Sequence, residues 1–261
     1  MRGEREQKCL DRVANSFNNG KLYGLSCEDM EFLDAAIRSA QPNPNSSRFP
    51  DFVCDGGIIE HFMISSSKTT AKGSKQQKEY KAYRTKTDKE IEAFKVEPVE
   101  TDSLVTVDSR NWSFQQPEHC YDYLAVSFRN TWESHIESLK SYSSEFGKCI
   151  FMIDYDEIAL QMIEDVFESV KTNLCYDDLR DQQKMDTYRL SRDKDMLEYV
   201  YSFRDRVDMI IFAFFNGWEA IKLESIPELL KLMPWRYRIE PLIGTINVET
   251  VYRTRVRCCD E

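Results

Sequence analysis

Phe49 to Lys68, reading FPDFVCDGGIIEHFMISSSK, constrains this chain more than any other stretch. Phe49, Phe52, Val53 and Cys54 make a short strand-like run, and Ile58 to Ile64 make a second. Between them Asp55-Gly56-Gly57 reads as a turn, because glycine tolerates the positive φ that tight hairpin turns demand. Alternation puts Ile58, Glu60, Phe62 and Ile64 on one face of the second strand, and Ile59, His61 and Met63 on the other. Glu60 therefore shares a face with apolar side chains, where an ionised carboxylate is costly unless a cation or a donor meets it. Asp51 sits at the start of the neighbouring strand. A hard divalent ion such as Mg²⁺ shared by the two acids would offset that cost, since it takes one or two carboxylates plus water. Such an ion polarises a phosphodiester and acidifies an attacking water.

The flanks predict an α/β fold. A short helix is expected around Cys9 to Phe17. Ser26 can cap a helix over Cys27 to Ala40 with Met30, Leu33, Ile37 and Ala40 on one face, and QPNPNSS then ends it. Downstream, Leu104 to Val107 is a strand candidate. Pro117 can open a long helix to about Phe146, with a stripe of Tyr121, Leu124, Phe128, Trp132, His135, Ile136 and Leu139. Cys149 to Ile153 and Val207 to Phe215 read as buried strands, and Asn216-Gly217 as a hairpin turn leading to a strand over Trp218 to Leu223. Helices are expected over Glu157 to Val170, Asp193 to Asp205 and Pro227 to Met233, and the tail from Tyr237 can add a strand. The order implies a central mixed β-sheet flanked by helices, and no Pro/Gly/Ser linker divides the chain. Residues 1–261 are accordingly expected to form a single α/β domain, with a hairpin core at about 26–85 and a helix-rich C-terminal extension.

Charge is unevenly spread. The chain carries 35 basic and 45 acidic residues, a formal net charge of −10, which argues against a protein that coats nucleic acid non-specifically. Ser65 to Lys89 runs the other way, with eight basic residues against Glu79 and Asp88. Lys72, Lys75, Lys78, Lys81 and Arg84 step by three, which on a helix makes a basic band suited to phosphates; a solvated lysine-rich loop gives the same pattern. No apolar run approaches the roughly 20 residues of a membrane span, and MRGEREQKC lacks the apolar core of a signal peptide, so a cytoplasmic, non-membrane protein is expected. The 8 cysteines are irregularly spaced without a C-x-x-C pair, which predicts reduced, mostly structural thiols.

Pro50-Asp51, a glycine turn, and Ile58-Ile59-Glu60 on an apolar strand together resemble the PD-(D/E)XK nuclease superfamily. The resemblance covers about residues 26–85 and implies a restriction-endonuclease-like fold. It also implies Mg²⁺ (or Mn²⁺) held by Asp51 and Glu60, nucleic acid, chiefly DNA, as substrate, and a role in restriction or defence. In that family a lysine two residues after the second acid orients or activates water. Here that position is Phe62, so the motif reads Glu-His-Phe, and Lys68 is the nearest lysine of the same strand parity if the strand runs that far. Lys72 and Lys75 are looser candidates for that lysine, and Glu28 or Glu31 on the preceding helix for a further acid. Gln76 to Tyr80 matches a Q-x-x-x-Y pattern found on the helix after the active-site strand in some members. Lys72, Lys75, Lys78 and Lys81 would contact nucleic acid.

Competing readings are a catalytically inactive nuclease-like module that binds nucleic acid or a protein partner, and a plain structural protein. A homo-oligomer is compatible with either. The three histidines, His61, His119 and His135, show no HExxH spacing and read as core or surface residues. Ser65-Ser66-Ser67 lacks a nucleophile elbow and Gly73-Ser74 lacks a phosphate loop, which leaves no basis for a serine hydrolase or a kinase.

Overall fold

The computed structural model describes residues 3–44, 49–70, 73–74, 82, 85–86, 89, 105–115, 119–166, 182–233, 236–242 and 245–255. In chain order the elements are α1 (Glu4–Asn15), β1 (Lys21–Tyr23), α2 (Cys27–Ser39), β2 (Gln41–Pro42), β3 (Phe52–Cys54) and β4 (Gly57–Met63). There follow β5 (Thr69–Thr70), β6 (Gly73–Ser74), β7 (Val105–Gln115), α3 (Tyr121–Ser141), β8 (Lys148–Tyr155), β9 (Leu160–Val166) and β10 (Gln182–Thr187). The chain closes with α4 (Lys194–Tyr201), β11 (Met209–Phe214), β12 (Gly217–Lys222), α5 (Ile226–Lys231), β13 (Arg238–Pro241) and β14 (Thr245–Arg255).

These elements form two compact units. The larger comprises Met1–Ser66 and His119–Leu242, and the smaller comprises Ser67–Glu118 and Ile243–Glu261. The smaller unit is thus built from an insertion and the C-terminal tail, which is why no single linker marks it in the sequence. Its main feature is the antiparallel pair β7–β14, in register from Val105 opposite Arg255 to Gln115 opposite Thr245. A short β5–β6 hairpin also belongs to it.

The larger unit is organised on a seven-stranded mixed sheet in the order β1-β12-β11-β8-β4-β3-β2. The three central strands β4, β8 and β11 are parallel, β2-β3-β4 and β11-β12 add antiparallel pairings on either side, and β1 joins β12 in parallel at one edge. Both faces are covered. On one, Ile58, Phe62, Phe151, Ile153 and Phe212 pack against Leu124, Phe128, Trp132 and Ile136 of α3 and Met196, Leu197 and Val200 of α4. On the other, Ile59, Ile150, Met152 and Ile211 pack against Leu10 and Val13 of α1 and Leu33, Ala36 and Ile37 of α2. The β3–β4 turn shows why its glycines are needed: Gly56 has φ 74°, and a Cβ on Gly57 would lie 2.3 Å from the Lys148 carbonyl oxygen.

The expected hairpin, the helices over 27–40 and around 193–205, and the buried strands at 149–153 and 207–215 all appear. The expected helix over Glu157 to Val170 does not. Residues 160–166 are β9, the centre of an antiparallel sheet β10-β9-β13. Neighbouring strands on both sides satisfy its backbone, and that pairing overrides a weak helical periodicity. The C-terminal part is accordingly richer in strand than the helix-rich extension expected of it. Among the described residues no helix is long and apolar enough to cross a membrane.

A buried ion-pair clasp ties α2 to the strand ends. Asp29, 3% exposed, caps its own helix through Ser26 and accepts from Lys148 Nζ at 2.9 Å and Lys222 Nζ at 2.8 Å. These donors outweigh burial and hold its carboxyl well below the ordinary carboxylate range. Because the folded-state pKa is depressed, the stabilisation is present above the unfolded carboxylate pKa of about 4 and is lost as pH falls below it. Asp29→Asn should therefore cost about 2–3 kcal/mol in urea unfolding at neutral pH. The gap to wild type should shrink in the same measurement at acid pH.

Candidate functional site

Asp51 and Glu60 do converge. The β3–β4 pairing sets Phe52 opposite Ile59, so the residue before β3 falls beside Glu60 and His61. Glu60 Oε2 accepts from the Asp51 amide at 3.0 Å, and Asp51 Oδ2 accepts from the His61 amide at 2.9 Å. The two carboxyl groups thus lock the hairpin by exchanging side-chain-to-backbone hydrogen bonds. Glu60 is 5% exposed, and its second oxygen, Oε1, lies 2.6 Å from His135 Nδ1 on α3. A carboxylate has no proton to give, so Nδ1–H donates and the basic Nε2 of the imidazole is left facing away from Glu60.

Asp51 is the less buried of the two acids. Its carboxyl is pushed up to about 6, first by burial and then by the neighbouring Glu60 charge, against the hydrogen bond from His61. Its Oδ1 has no hydrogen-bond partner among the described residues. Asp51 Oδ1 and the remaining lone pairs of Glu60 are hard oxygen donors, the ligand type that Mg²⁺ or Mn²⁺ takes together with water.

Phe62 occupies the position two residues after Glu60 and does no polar work. It stacks on the His135 ring at 4.7 Å between centroids and meets Phe151 and Trp132 edge-on. Strand β4 ends at Met63, so the strand parity that would align Lys68 with Glu60 does not extend that far. Lys68 is exposed and belongs to the smaller unit. Among the described residues no lysine pairs with Asp51 or Glu60, while His135 does pair with Glu60. Glu28 and Glu31 are exposed on α2, the helix that covers the face opposite Glu60, and do not join the acids. Lys72, Lys75, Lys78, Lys81 and the Gln76–Tyr80 pattern lie outside the described residues.

His135 is the residue that sequence reasoning missed. It was visible as a member of the α3 stripe, one residue before Ile136, but nothing in the stripe distinguished a histidine that packs from one that reaches a carboxylate. The other two histidines are buried. His61 points to the α1 face, and burial pushes its imidazole down to about 4, so it is uncharged at neutral pH. His119 Nδ1 lies 2.7 Å from Ser66 Oγ. Glu157 accepts from Ser65 Oγ, Ser66 Oγ and the Ser66 amide at 2.6–2.8 Å, and Tyr155 Oη donates to Ser66 Oγ at 3.2 Å. Ser66 is wholly buried, so this Ser-His-Glu cluster locks the chain where it leaves the larger unit and returns to it. The described cysteines, Cys9, Cys27, Cys54, Cys120 and Cys149, are free thiols.

Comparison with family models, with curated proteins and with solved structures returns no match. The site must speak through its own geometry.

Replacing Glu60 with Gln removes the largest charge that raises Asp51. In a carbon-detected NMR titration the Asp51 carboxyl should move down from about 6 in Glu60→Gln, while remaining above an ordinary aspartate because burial, the larger cause, persists. Wild-type stability should also fall as pH rises through about 6, since a carboxyl with a raised folded-state pKa favours the protonated fold. Asp51→Asn should flatten that part of the profile.

Proposed function

We propose that this chain is a Mg²⁺- or Mn²⁺-dependent nucleic-acid phosphodiesterase on a restriction-endonuclease-like scaffold, with Asp51 and Glu60 as its metal-holding acids. His135 takes the place of the missing lysine. The observation that carries the reading is the convergence of two carboxylates and an imidazole at the β3–β4 hairpin, with Glu60 bonded to both the Asp51 amide and His135 Nδ1. The element order supports it: a helix, a hairpin bearing the acids, a helix behind the second acid, and a strand parallel to β4.

A divalent ion bound at this donor set would supply Lewis acidity toward a phosphate oxygen and a more acidic water. The chain's own residues divide the remaining work. Glu60 fixes the His135 tautomer and orientation, leaving Nε2 to accept a proton from an attacking water. Phe62 holds the imidazole plane by stacking, which suits a residue whose aim matters more than its mobility. Asp51 offers a ligand oxygen through Oδ1, which has no hydrogen-bond partner among the described residues. DNA is the favoured substrate class, following the resemblance, and restriction or defence the favoured setting.

The second reading, a nuclease-like module without catalysis that binds nucleic acid or a protein partner, is favoured by one observation. An aromatic residue fills the lysine position and is packed into the core.

Purified protein incubated with plasmid and single-stranded DNA in Mg²⁺ or Mn²⁺ decides between them. Under the first reading cleavage requires metal, Asp51→Asn abolishes it, and His135→Gln lowers the rate by ~100-fold or more. Cleavage retained in Asp51→Asn removes the assignment. Absence of cleavage with either metal, alongside DNA retention that weakens steeply with salt, selects the inactive module.

A further inference from the structure

We propose that Cys9, His61 and Asp154 form a transition-metal site of the Zn²⁺ class, distinct from Asp51 and Glu60 and lying on the opposite face of β4. The three come from three elements, α1, β4 and β8. A ligand atom from each, the Cys9 sulfur, a His61 ring nitrogen and an Asp154 oxygen, lies within 4.8 Å of the other two. All three are buried, at 3%, 6% and 5% exposure. His61 Nε2 is buried and has no hydrogen-bond partner, a state that costs free energy unless a ligand meets the lone pair or the N–H.

The topology explains the convergence. Parallel pairing of β4 with β8 sets His61 opposite Met152 and Met63 opposite Asp154, so His61 and Asp154 share the face covered by α1. Cys9 lies on the buried stripe of α1 with Leu10 and Val13. One sulfur, one imidazole nitrogen and one carboxylate oxygen is a donor set for a borderline-soft ion that tolerates four-coordinate geometry, and a poor one for Mg²⁺, which demands oxygen. Three protein ligands leave a fourth position for water or a bound group.

Arg12 sets the terms of binding. Its Nη2 lies 2.6 Å from Asp154 Oδ1 and 3.8 Å from the Cys9 sulfur, and its Nη1 lies 3.5 Å from Asp156. The guanidinium therefore supplies the positive charge that the cluster needs when no metal is bound. Its side chain is 32% exposed and has Asp156 as a second partner, so it can release Asp154 toward an incoming cation and stay paired at the surface. Binding forms the metal–sulfur bond with Cys9 as thiolate, and the thiol proton passes to buffer.

The test uses the full chain, stripped with a chelator and titrated first with Co²⁺ and then with Zn²⁺. A single equivalent of Co²⁺ should bring up a near-ultraviolet thiolate-to-cobalt band with intense four-coordinate visible bands, and Zn²⁺ should bleach both. Cys9→Ser should abolish the thiolate band and His61→Gln should weaken Zn²⁺ binding by at least ~10-fold. Cys27→Ser, at an exposed thiol elsewhere, should leave the spectrum unchanged. Arg12→Gln should bind Zn²⁺ more tightly than wild type, because the competing cation is gone. Absence of the band in wild type, its persistence in Cys9→Ser, or Zn²⁺ affinity in Arg12→Gln no greater than in wild type would each overturn the proposal. Wild type and Arg12→Gln settle the matter even if Cys9→Ser fails to fold, and none of these readouts depends on nucleic-acid cleavage.

Discussion

The carboxylate of Glu60 is the interaction on which the architecture of the larger unit turns. It sits in the middle of a central strand, 5% exposed, on a face otherwise built from Ile58, Phe62 and Ile64. A charge there survives because each oxygen meets a donor held by a different element: the Asp51 amide at the mouth of β3 and the His135 ring on α3. One residue therefore ties β4 to the start of β3 and to α3. Removing it would take a hydrogen-bond partner from the half-buried Asp51 amide and the half-buried His135 imidazole at once.

The next residue turns the other way. Period-two alternation sends His61 to the α1 face, where the parallel neighbour β8 brings Asp154 and the helix brings Cys9. β4 thus carries two polar constellations back to back, hard oxygens with an imidazole on one side and a mixed sulfur, nitrogen and oxygen set on the other. The hydrogen bond from the His61 amide to Asp51 Oδ2 links the two. Donor sets of such different softness favour different classes of ion.

Much polar structure elsewhere in the larger unit is clasp rather than chemistry. Asp29 joins α2 to the ends of β8 and β12 through two lysines. Glu157 gathers Ser65, Ser66 and, at longer range, His119, at the points where the chain leaves and re-enters the unit. Asp193 caps α4 and accepts from Tyr121 and Tyr188, each at 2.7 Å. Each lies under a junction between segments distant in sequence, where a satisfied buried carboxylate specifies one arrangement among the many that apolar packing alone would allow.

The sequence by itself determined the hairpin, the capped helix before it, the buried strands and the face on which Glu60 lies, because turn chemistry and alternation are local and act within a few residues. It also brought Asp51 beside Glu60, since a tight turn leaves a hairpin only one plausible register. Tertiary structure alone decided the rest. Residues 160–166 became a strand because β10 and β13 lie on either side, and the smaller unit stayed hidden because its parts are an insertion and a tail. Strand β4 stopped at Met63, short of Lys68. His135 is 75 residues from Glu60, and Cys9 and Asp154 lie far from His61 in the chain. Which side chains meet across such separations depends on the pairing of parallel strands and the seating of helices on a sheet, and no local pattern of residues encodes either.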